Sequence, residues 1–118
     1  MSSDPVSGFQ PLAPAVLHIL LALAGEDLHG YGIIKDIERQ SGGLYRLGPG
    51  TLYDNLQKLL DRGLVRDMGQ RAGDTDQRRR YYRLSALGKK VLAAETLRLE
   101  TLAVEARVRL KIPGRAAA

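Results

Sequence analysis

The sequence predicts a mainly α-helical fold with a small β-hairpin, namely a winged helix-turn-helix domain followed by a long C-terminal dimerisation helix. Three observations predict this fold. Three segments with helical apolar spacing come first, two strand-like segments joined by a polar loop follow, and the C-terminal part carries one long apolar helical pattern. Three helices followed by a basic hairpin form the element order of a winged helix-turn-helix domain.

The chain of 118 residues fits one folded domain with a tail at each end. We expect a disordered tail over residues 1–10, because this stretch has no apolar periodicity. The winged helix-turn-helix domain is expected over residues 11–85 and the dimerisation helix over residues 86–112. Residues 113–118 form the second expected tail, after the long helix has ended.

The charge of the chain is unevenly distributed. Residues 1–57 carry three basic and six acidic side chains, a net charge of about −3, whereas residues 58–118 carry fifteen basic and seven acidic ones, about +8. A basic half of this kind favours a polyanionic partner such as nucleic acid. A solvated, arginine-rich surface would give the same count, so charge alone leaves both interpretations open.

The sequence disfavours catalysis and metal binding. It has no cysteine, so neither disulfides nor thiolate metal sites are expected. The two histidines, His18 and His29, are too few for a metal site, and no cofactor is expected. His18 lies in an apolar helix and is interpreted as a satisfied core or interface residue. No acid–base, nucleophile or phosphate-loop motif is present, so the chain is not expected to be an enzyme.

The sequence also disfavours a membrane protein. The longest apolar run, residues 12–24, is interrupted by Pro14 and His18 and is too short to span a bilayer. The N-terminus carries Asp4 and no basic residue, which is unlike a secretory signal. We therefore expect a cytoplasmic protein with no membrane partner.

The first helix is predicted over residues 11–24 and is apolar on nearly all sides. Such a helix must be buried on more than one face. Burial between two subunits would explain this pattern, and so would deep burial within one protomer. The second helix is predicted over residues 30–40, with isoleucines on one side, and Ser41-Gly42-Gly43 ends it. Residues 44–47 are expected to be a short extended piece.

The third helix, Gly48 to Arg62, is the candidate recognition helix. Pro49 suits the first helical position, and Gly63 ends the helix. Its leucines form one apolar stripe, which leaves small polar side chains facing outward near its N-terminus. A helix anchored in this way could read a DNA groove, although a surface helix of any small α-domain would look similar.

A β-hairpin, the wing, is predicted after the third helix. Residues 64–68 and 78–84 are the two strand candidates, and the polar loop at 69–77 joins them. The arginines of the second strand could contact backbone phosphates or the minor groove. They could equally protect an exposed strand edge from aggregation.

The last helix is predicted from Ala86 to Lys111, with Ser85 as its N-cap and Pro113-Gly114 after it. Its apolar stripe is broad, and the helix is longer than the rest of the domain is wide. We interpret it as a dimerisation helix. The alternative is a helix that folds back on its own domain.

Specific motifs add a family resemblance to this interpretation. The motifs are H-G-Y at residues 29–31, G-T-L-Y at residues 50–53 and Y-x-L-S-x-x-G at residues 82–88. They lie within three longer matching segments, Leu17–Glu38, Gly48–Val65 and Arg78–Leu92. On these residues the chain resembles the PadR family of bacterial transcriptional regulators, and in particular its shorter subgroup with a single C-terminal helix.

The resemblance implies a homodimer held together by the first and last helices. It also implies operator binding through the third helix and the wing, usually as a repressor, and a small ligand that lowers the affinity for DNA. By position, Thr51 and Tyr53 would lie at the DNA surface, whereas Pro49 and Gly50 would shape the start of the helix.

The residues and the resemblance together define two candidate surfaces. The DNA-binding candidates are Lys35 and Arg39 on flanking phosphates, Pro49, Gly50, Thr51, Tyr53, Asn55 and Lys58 on the third helix, and Arg71, Arg78, Arg79 and Arg80 in the wing. The candidate dimer interface consists of Leu17, Leu20, Leu21, Leu92, Leu99 and Leu102.

We therefore expect a sequence-specific regulator that binds double-stranded operator DNA, as a homodimeric repressor that a small-molecule ligand relieves. Two alternatives stay open. One is a sequence-neutral DNA-binding protein. The other is a protein-interaction module without specific DNA binding, which the outward-facing Asp54 and the acidic N-terminal half would favour.

Overall fold

The computed structural model describes residues 6–74 and 79–114. A short 3-10 turn, Ser7–Phe9, precedes the regular elements. The helices are α1 (Pro14–Gly25), α2 (Gly30–Gln40), α3 (Pro49–Asp61) and α4 (Ala86–Leu110), and the strands are β1 (Leu28–His29), β2 (Val65–Gly69) and β3 (Tyr81–Leu84). The three predicted helices, the hairpin and the long C-terminal helix are thus all present.

The predicted hairpin belongs to a three-stranded antiparallel sheet with the strand order β1-β3-β2. Strand β1 has only two residues, Leu28 and His29, which pair with Tyr82 and Tyr81 of β3. The sequence did not predict this strand, because two residues show no alternating pattern. The pairing of β2 with β3 is irregular between Asp67 and Gly69.

Two predicted boundaries were wrong. Helix α1 begins at Pro14 rather than at residue 11, because proline takes the first helical position and Ala13 before it is extended. Residues 44–47 contain no strand, and Leu44 and Tyr45 lie in a bend where the Ser41 hydroxyl oxygen accepts a hydrogen bond from the Tyr45 amide at 2.9 Å. The start predicted for the second hairpin strand, Arg78, lies outside the described residues.

One apolar core joins the helices and the sheet. Its fully buried members are Ile19, Leu20, Ile33, Ile37, Leu52, Leu56, Leu64 and Val91. The assignment of Leu20 to the dimer interface was therefore wrong, because a side chain with no exposed surface in the protomer has nothing left to bury. Deep burial within the protomer explains this side of α1, whereas Leu21 is 47% exposed.

The start of α4 is fixed against the end of α3. The Ser85 hydroxyl oxygen accepts a hydrogen bond from the Gly88 amide at 2.9 Å, which caps the helix. The same hydroxyl donates to the Gly63 carbonyl oxygen at 2.6 Å. A Cβ atom at Gly88 would overlap the carbonyl oxygen of Leu64. Only glycine at this position lets α4 approach the start of β2 so closely.

The segment before α1 is ordered where the structure describes it. The expectation of a disordered tail was wrong for residues 7–9, which form the 3-10 turn, and Val6 and Phe9 pack against the core. A buried carboxylate on α4 contacts the stretch between this turn and α1. Glu95, which has no exposed surface, accepts a hydrogen bond from the Leu12 amide at 2.9 Å.

Arg98 completes this arrangement, which we call the Glu95 clamp (Glu95, Arg98 and the Leu12 amide). Its Nε and Nη2 atoms donate to the two carboxylate oxygens of Glu95 at 2.6 and 2.8 Å. These hydrogen bonds, with smaller contributions from the Leu12 amide and the Gln10 side chain, lower the pKa of Glu95 to about 2, although burial acts in the opposite direction. The clamp joins α4 to the chain before α1.

Helix α4 extends beyond the core. Its 25 residues give a length of about 37 Å. The apolar side chains of its second half are exposed in the protomer, including Leu102 at 54%, Val104 at 59% and Val108 at 67%. Within residues 6–74 and 79–114, no helix has the length and apolar character needed to cross a membrane.

The Glu95 clamp predicts a pH-dependent stability difference. We expect Glu95→Gln to lower the free energy of unfolding by about 1–3 kcal/mol at pH 7, because the charge-assisted hydrogen bonds to Arg98 are removed. The folded pKa of Glu95 is lowered, so its contribution is full above pH 4.5 and disappears as the pH falls towards 2. The difference between the two proteins should shrink over that range.

Urea unfolding followed by circular dichroism at several pH values would measure this difference. Glu105→Gln is the matched control, because Glu105 is a carboxylate on the same helix whose ion pair with Arg109 is exposed. A Glu95→Gln protein as stable as the wild type at pH 7 would contradict the prediction.

The close approach of Gly88 to Leu64 predicts a second stability effect. Gly88→Ala should lower the free energy of unfolding by about 1–3 kcal/mol, because the new methyl group forces α4 away from β2. Gly25→Ala serves as the control, since a Cβ atom there meets nothing within 4 Å. Thermal unfolding should separate the two variants, and equal melting temperatures would show that α4 adjusts freely.

Candidate nucleic-acid interface

Helix α3 presents a polar face to solvent because its leucines are buried. Leu52, Leu56 and Leu59 face the core. On the opposite side, the side chains of Thr51, Asp54 and Lys58 are exposed. Gly48 precedes the helix in an extended conformation and has no side chain that could cap it, and Pro49 occupies the first turn. The N-terminal end of α3, with Gly50 and Thr51, is therefore open to a ligand.

Tyr53 lies on one flank of α3 and contacts the start of α2. A Cβ atom at Gly30 would overlap the Tyr53 hydroxyl group, so the absence of a side chain at Gly30 makes room for the tyrosine. Next to it, the Nδ1 atom of His29 accepts a hydrogen bond from the Gly32 amide at 3.1 Å and caps α2. The H-G-Y and G-T-L-Y motifs, which are separate in the sequence, thus meet at one contact.

A cleft of about 420 Å³ opens between the start of α2, α3 and the wing. It is lined by His29, Gly30, Tyr31, Tyr53, Arg79, Arg80 and Tyr82. Burial raises the pKa of Tyr82, and burial together with the charge of Arg79 lowers the pKa of His29. The structure therefore brings three predicted DNA contacts, one on α3 and two in the wing, to a single cleft.

Two wing arginines, Arg79 and Arg80, lie next to carboxylates of the wing itself. The Nε atom of Arg80 donates to the two oxygens of Asp67 at 2.8 and 3.1 Å. This hydrogen bond lowers the pKa of Asp67. Arg79 lies 4.0 Å from a carboxylate oxygen of Asp74. Sequence reasoning missed both carboxylates, since the spacing of Asp67 from Arg80 carries no local signal.

The remaining wing candidates occupy different positions. The guanidinium group of Arg71 stacks on the ring of Tyr81, 4.1 Å from its centroid. Tyr81 in turn meets His29 edge to face, with ring centroids 5.3 Å apart. These contacts place Arg71 next to Tyr81 on β3, whereas Arg78 lies outside the described residues.

The two candidates on α2 are paired with acidic neighbours. Arg39 donates to Asp36 at 2.8 Å, and the Nζ atom of Lys35 lies 3.9 Å from Glu38. Both cations are exposed. Their pairs are weak because solvent screens them, so either cation could move to a phosphate. In the free protein they add little net positive charge.

Asn55 and Lys58 lie away from the wing cleft. Both side chains line a different groove, between α3 and the chain before α1. The Asn55 amide nitrogen donates to the Thr51 carbonyl oxygen of its own helix at 2.9 Å. The predicted α3 residues thus divide between two sides of the helix, with Tyr53 facing the wing and Asn55 and Lys58 facing the N-terminal segment.

Four of the six candidate dimer-interface residues line one groove. An apolar groove of about 360 Å³ runs between α1 and α4. Its lining includes Leu17, Leu21, Leu92 and Leu99, with His18, Thr96, Glu100 and Ala103. Leu102, which is 54% exposed, lies outside this lining.

His18 at the edge of this groove is satisfied within the protomer, as its position in an apolar helix predicted. Its Nδ1 atom lies 2.8 Å from the Gln40 side-chain oxygen, and its ring stacks on Tyr45 with a centroid separation of 4.4 Å. The ring is therefore a structural contact between α1, the end of α2 and the turn that follows.

Comparison with known proteins matches residues 16–94 to the family described as "Transcriptional regulator PadR-like family". Transcriptional regulator Rv3488 of Mycobacterium tuberculosis is 37% identical over 89 residues, which cover 75% of this chain and 78% of that protein. An uncharacterised 37.1 kDa protein in transposon Tn4556 of Streptomyces fradiae is 40% identical over 81 residues. That match covers 69% of this chain but only 21% of the transposon protein, so the chain spans about a fifth of that relative.

A solved structure confirms the predicted fold class. Bacillus subtilis PadR in complex with operator DNA resembles this chain with a TM-score of 0.61 at 20% sequence identity. The match covers 92% of this chain and 52% of the Bacillus chain. At this identity the likeness concerns the fold.

Proposed function

Because the chain belongs to the PadR-like family of transcriptional regulators, we propose that it is a homodimeric repressor that recognises a specific operator sequence. One observation carries the proposal. Tyr53 of α3 and the wing arginines Arg79 and Arg80 line a single cleft and face the same space. A helix in the major groove and a wing on the neighbouring backbone require this arrangement.

In this proposal, the start of α3 reads the bases. Thr51 is exposed at the N-terminal end of the helix, where side chains reach base edges in the major groove. Tyr53 is held in place by its contact with Gly30, so its ring approaches DNA in a defined orientation. Asp54 also faces outward and repels phosphate. Helix α3 would thus contribute register and base choice more than affinity.

The wing and α2 would supply phosphate contacts. Arg80 is already oriented by its two hydrogen bonds to Asp67, which reduces the conformational entropy cost of binding. Arg79 is 37% exposed and its ion pair with Asp74 is long, so it can turn to a phosphate at low cost. Lys35 and Arg39 would contact the backbone from α2.

The homodimer in this proposal covers the apolar groove between α1 and α4. Leu17 and Leu21 of α1 face the same groove as Leu92 and Leu99 of α4, and an exposed apolar surface of this kind marks an interface. The exposed apolar side chains in the second half of α4 would also be covered by the partner subunit. A two-fold dimer would place the two α3 helices about 34 Å apart, on successive major grooves.

An effector is the regulatory part of the proposal, and it follows from the family resemblance. A small molecule that changes how α4 packs against α1 would alter the distance between the two α3 helices. Such a ligand lowers the affinity for the operator if it binds the altered arrangement more tightly. Of the alternative functions, protein interaction without specific DNA binding is favoured by Asp54 and by the ion pairs of Arg79 and Arg80.

Selection of binding sites from random DNA, followed by fluorescence anisotropy, tests the proposal. We expect a two-fold symmetric consensus and a preference over random DNA of about a thousandfold or more, as specific binders show. Selection without a consensus would leave a sequence-neutral DNA-binding protein. No binding to any DNA at low salt would leave the interaction module.

Substitutions of Thr51 and Arg80 should change DNA binding in different ways. Thr51→Ala should reduce the preference for the consensus by about 1–3 kcal/mol while random DNA binds as before, since the variant cannot bond a base edge. Arg80→Gln should weaken binding to all sequences equally, since glutamine carries no charge to pair with a phosphate. Gln57→Ala, an exposed change on α3 whose side chain bonds Asp61, is the control. The role assigned to Arg80 fails if Arg80→Gln changes sequence preference, and the role assigned to Thr51 fails if Thr51→Ala keeps it.

The groove between α1 and α4 predicts which substitution breaks the dimer. Leu99→Glu should yield monomers in sedimentation at micromolar concentration, because it places a charge in the apolar groove. Ala93→Glu, at an exposed position in the first half of α4 and outside the lining of this groove, should leave the dimer intact. A dimer that survives Leu99→Glu would move the interface away from this groove.

A further inference from the structure

Two cations at the C-terminal end of α3, Lys58 and Arg62, differ from Lys35, Arg39, Arg79 and Arg80 because they have no acidic partner among the described residues. Lys58 and Arg62 lie one helical turn apart, and neither forms an ion pair with any residue in the described ranges 6–74 and 79–114. Arg39, Arg79 and Arg80, in contrast, each lie against a carboxylate. An unpaired cation adds a full positive charge to its surroundings.

Both cations line a groove of about 390 Å³ between α3 and the segment before α1, which we call the N-terminal groove. The described lining residues are Gly8, Phe9, Gln10, Pro11, Leu12, Ala13, Val16, Asn55, Lys58, Leu59, Arg62 and Leu64, and none of these carries a carboxylate. The neighbouring Asp61 accepts a hydrogen bond from Gln57 at 2.9 Å. The groove is therefore basic.

The walls of this groove are held in place. Leu59 and Leu64 are buried core residues, and Phe9 packs against the same core. The Glu95 clamp fixes the other wall through the Leu12 amide. The apolar parts of the lining can carry the aliphatic stems of Lys58 and Arg62 while their charges face solvent. The two cations thus have a rigid support.

We propose that the N-terminal groove is a second phosphate-binding surface for DNA, with Arg62 and Lys58 contacting the backbone on the side of α3 away from the wing. The geometry of the major groove supports this. The groove is about 12 Å wide, and a helix with its side chains is about 10–12 Å across. A helix lying in it therefore has a sugar-phosphate backbone on each side.

The wing can serve only one of these backbones. Tyr53 faces the wing on one flank of α3, and Lys58 and Arg62 lie on the other. The second backbone then meets the N-terminal groove, where two unpaired cations match its charge. Arg62 is a DNA contact that sequence reasoning did not include. This proposal rests on the proposed DNA-binding function.

Salt dependence measures phosphate contacts directly. In anisotropy titrations with the selected operator, Arg62→Gln and Lys58→Gln should each lower the slope of log affinity against log salt by about 0.9 for each phosphate that the variant no longer neutralises. For one phosphate, the ratio of wild-type to variant affinity should fall about threefold between 50 and 200 mM salt. Both variants should keep the preference for operator over random DNA.

Arg109→Gln is the matched control, since it removes one arginine charge from the last turn of α4. It should keep the wild-type slope. Thermal unfolding checks that Arg62→Gln is folded, which its exposed position makes the expected result. Ethylation interference should locate protected phosphates on both backbones that flank α3, and Arg62→Gln should remove the set away from the wing.

The outcomes separate this proposal from the one on which it rests. If the wild-type protein selects an operator but Arg62→Gln keeps the wild-type slope, the N-terminal groove is not a phosphate-binding surface and the repressor function stands. A lowered slope for Lys58→Gln alone would also overturn the assignment of the groove, because Arg62 would then lie off the DNA. A wild-type protein that selects no DNA sequence removes the proposed function itself.

Discussion

Burial of the leucine stripe of α3 is the constraint on which the rest of the interface depends. Leu52, Leu56 and Leu59 enter the core that also contains Ile33 and Ile37 of α2. Each buried leucine contributes about 2 kcal/mol, so rotation of α3 about its axis is costly. The rotation that buries the stripe also decides that Thr51 and Asp54 face solvent, and that Tyr53 and Lys58 face opposite flanks. Packing thereby orients the DNA-binding side chains.

The local patterns in the sequence were sufficient to predict the helices and the hairpin. Helix α2 begins and ends where its isoleucine spacing and Ser41-Gly42-Gly43 predicted. Strand β1 escaped prediction because two residues have no periodicity, and its pairing partners Tyr81 and Tyr82 are distant in the chain. The sequence also did not predict that Leu20 is buried within the protomer. A helix that is apolar on all sides does not reveal which side faces its own core.

The sequence predicted which residues would form the candidate site, but not which of their side chains would contact one another. Sequence reasoning identified Tyr53 and the wing arginines, and the cleft brings Tyr53, Arg79 and Arg80 together. It did not foresee that Asp67 would hold Arg80, since the two residues meet only when the bulged hairpin forms. It also missed the Glu95 clamp, because Glu95 and Leu12 are separated by 83 positions. Contacts between distant positions leave no periodic signal.

The difference between paired and unpaired cations changes how the charge of the molecule should be interpreted. A count over the sequence gives every arginine of the wing the same weight. In the folded chain, Asp74 and Asp67 offset the charges of Arg79 and Arg80, while Lys58 and Arg62, like Arg71 of the wing, have no carboxylate partner among the described residues. A paired arginine is oriented by its carboxylate but contributes little net charge. It therefore suits DNA contacts that require a defined geometry. Unpaired cations beside α3 suit the long-range attraction that brings DNA to the helix.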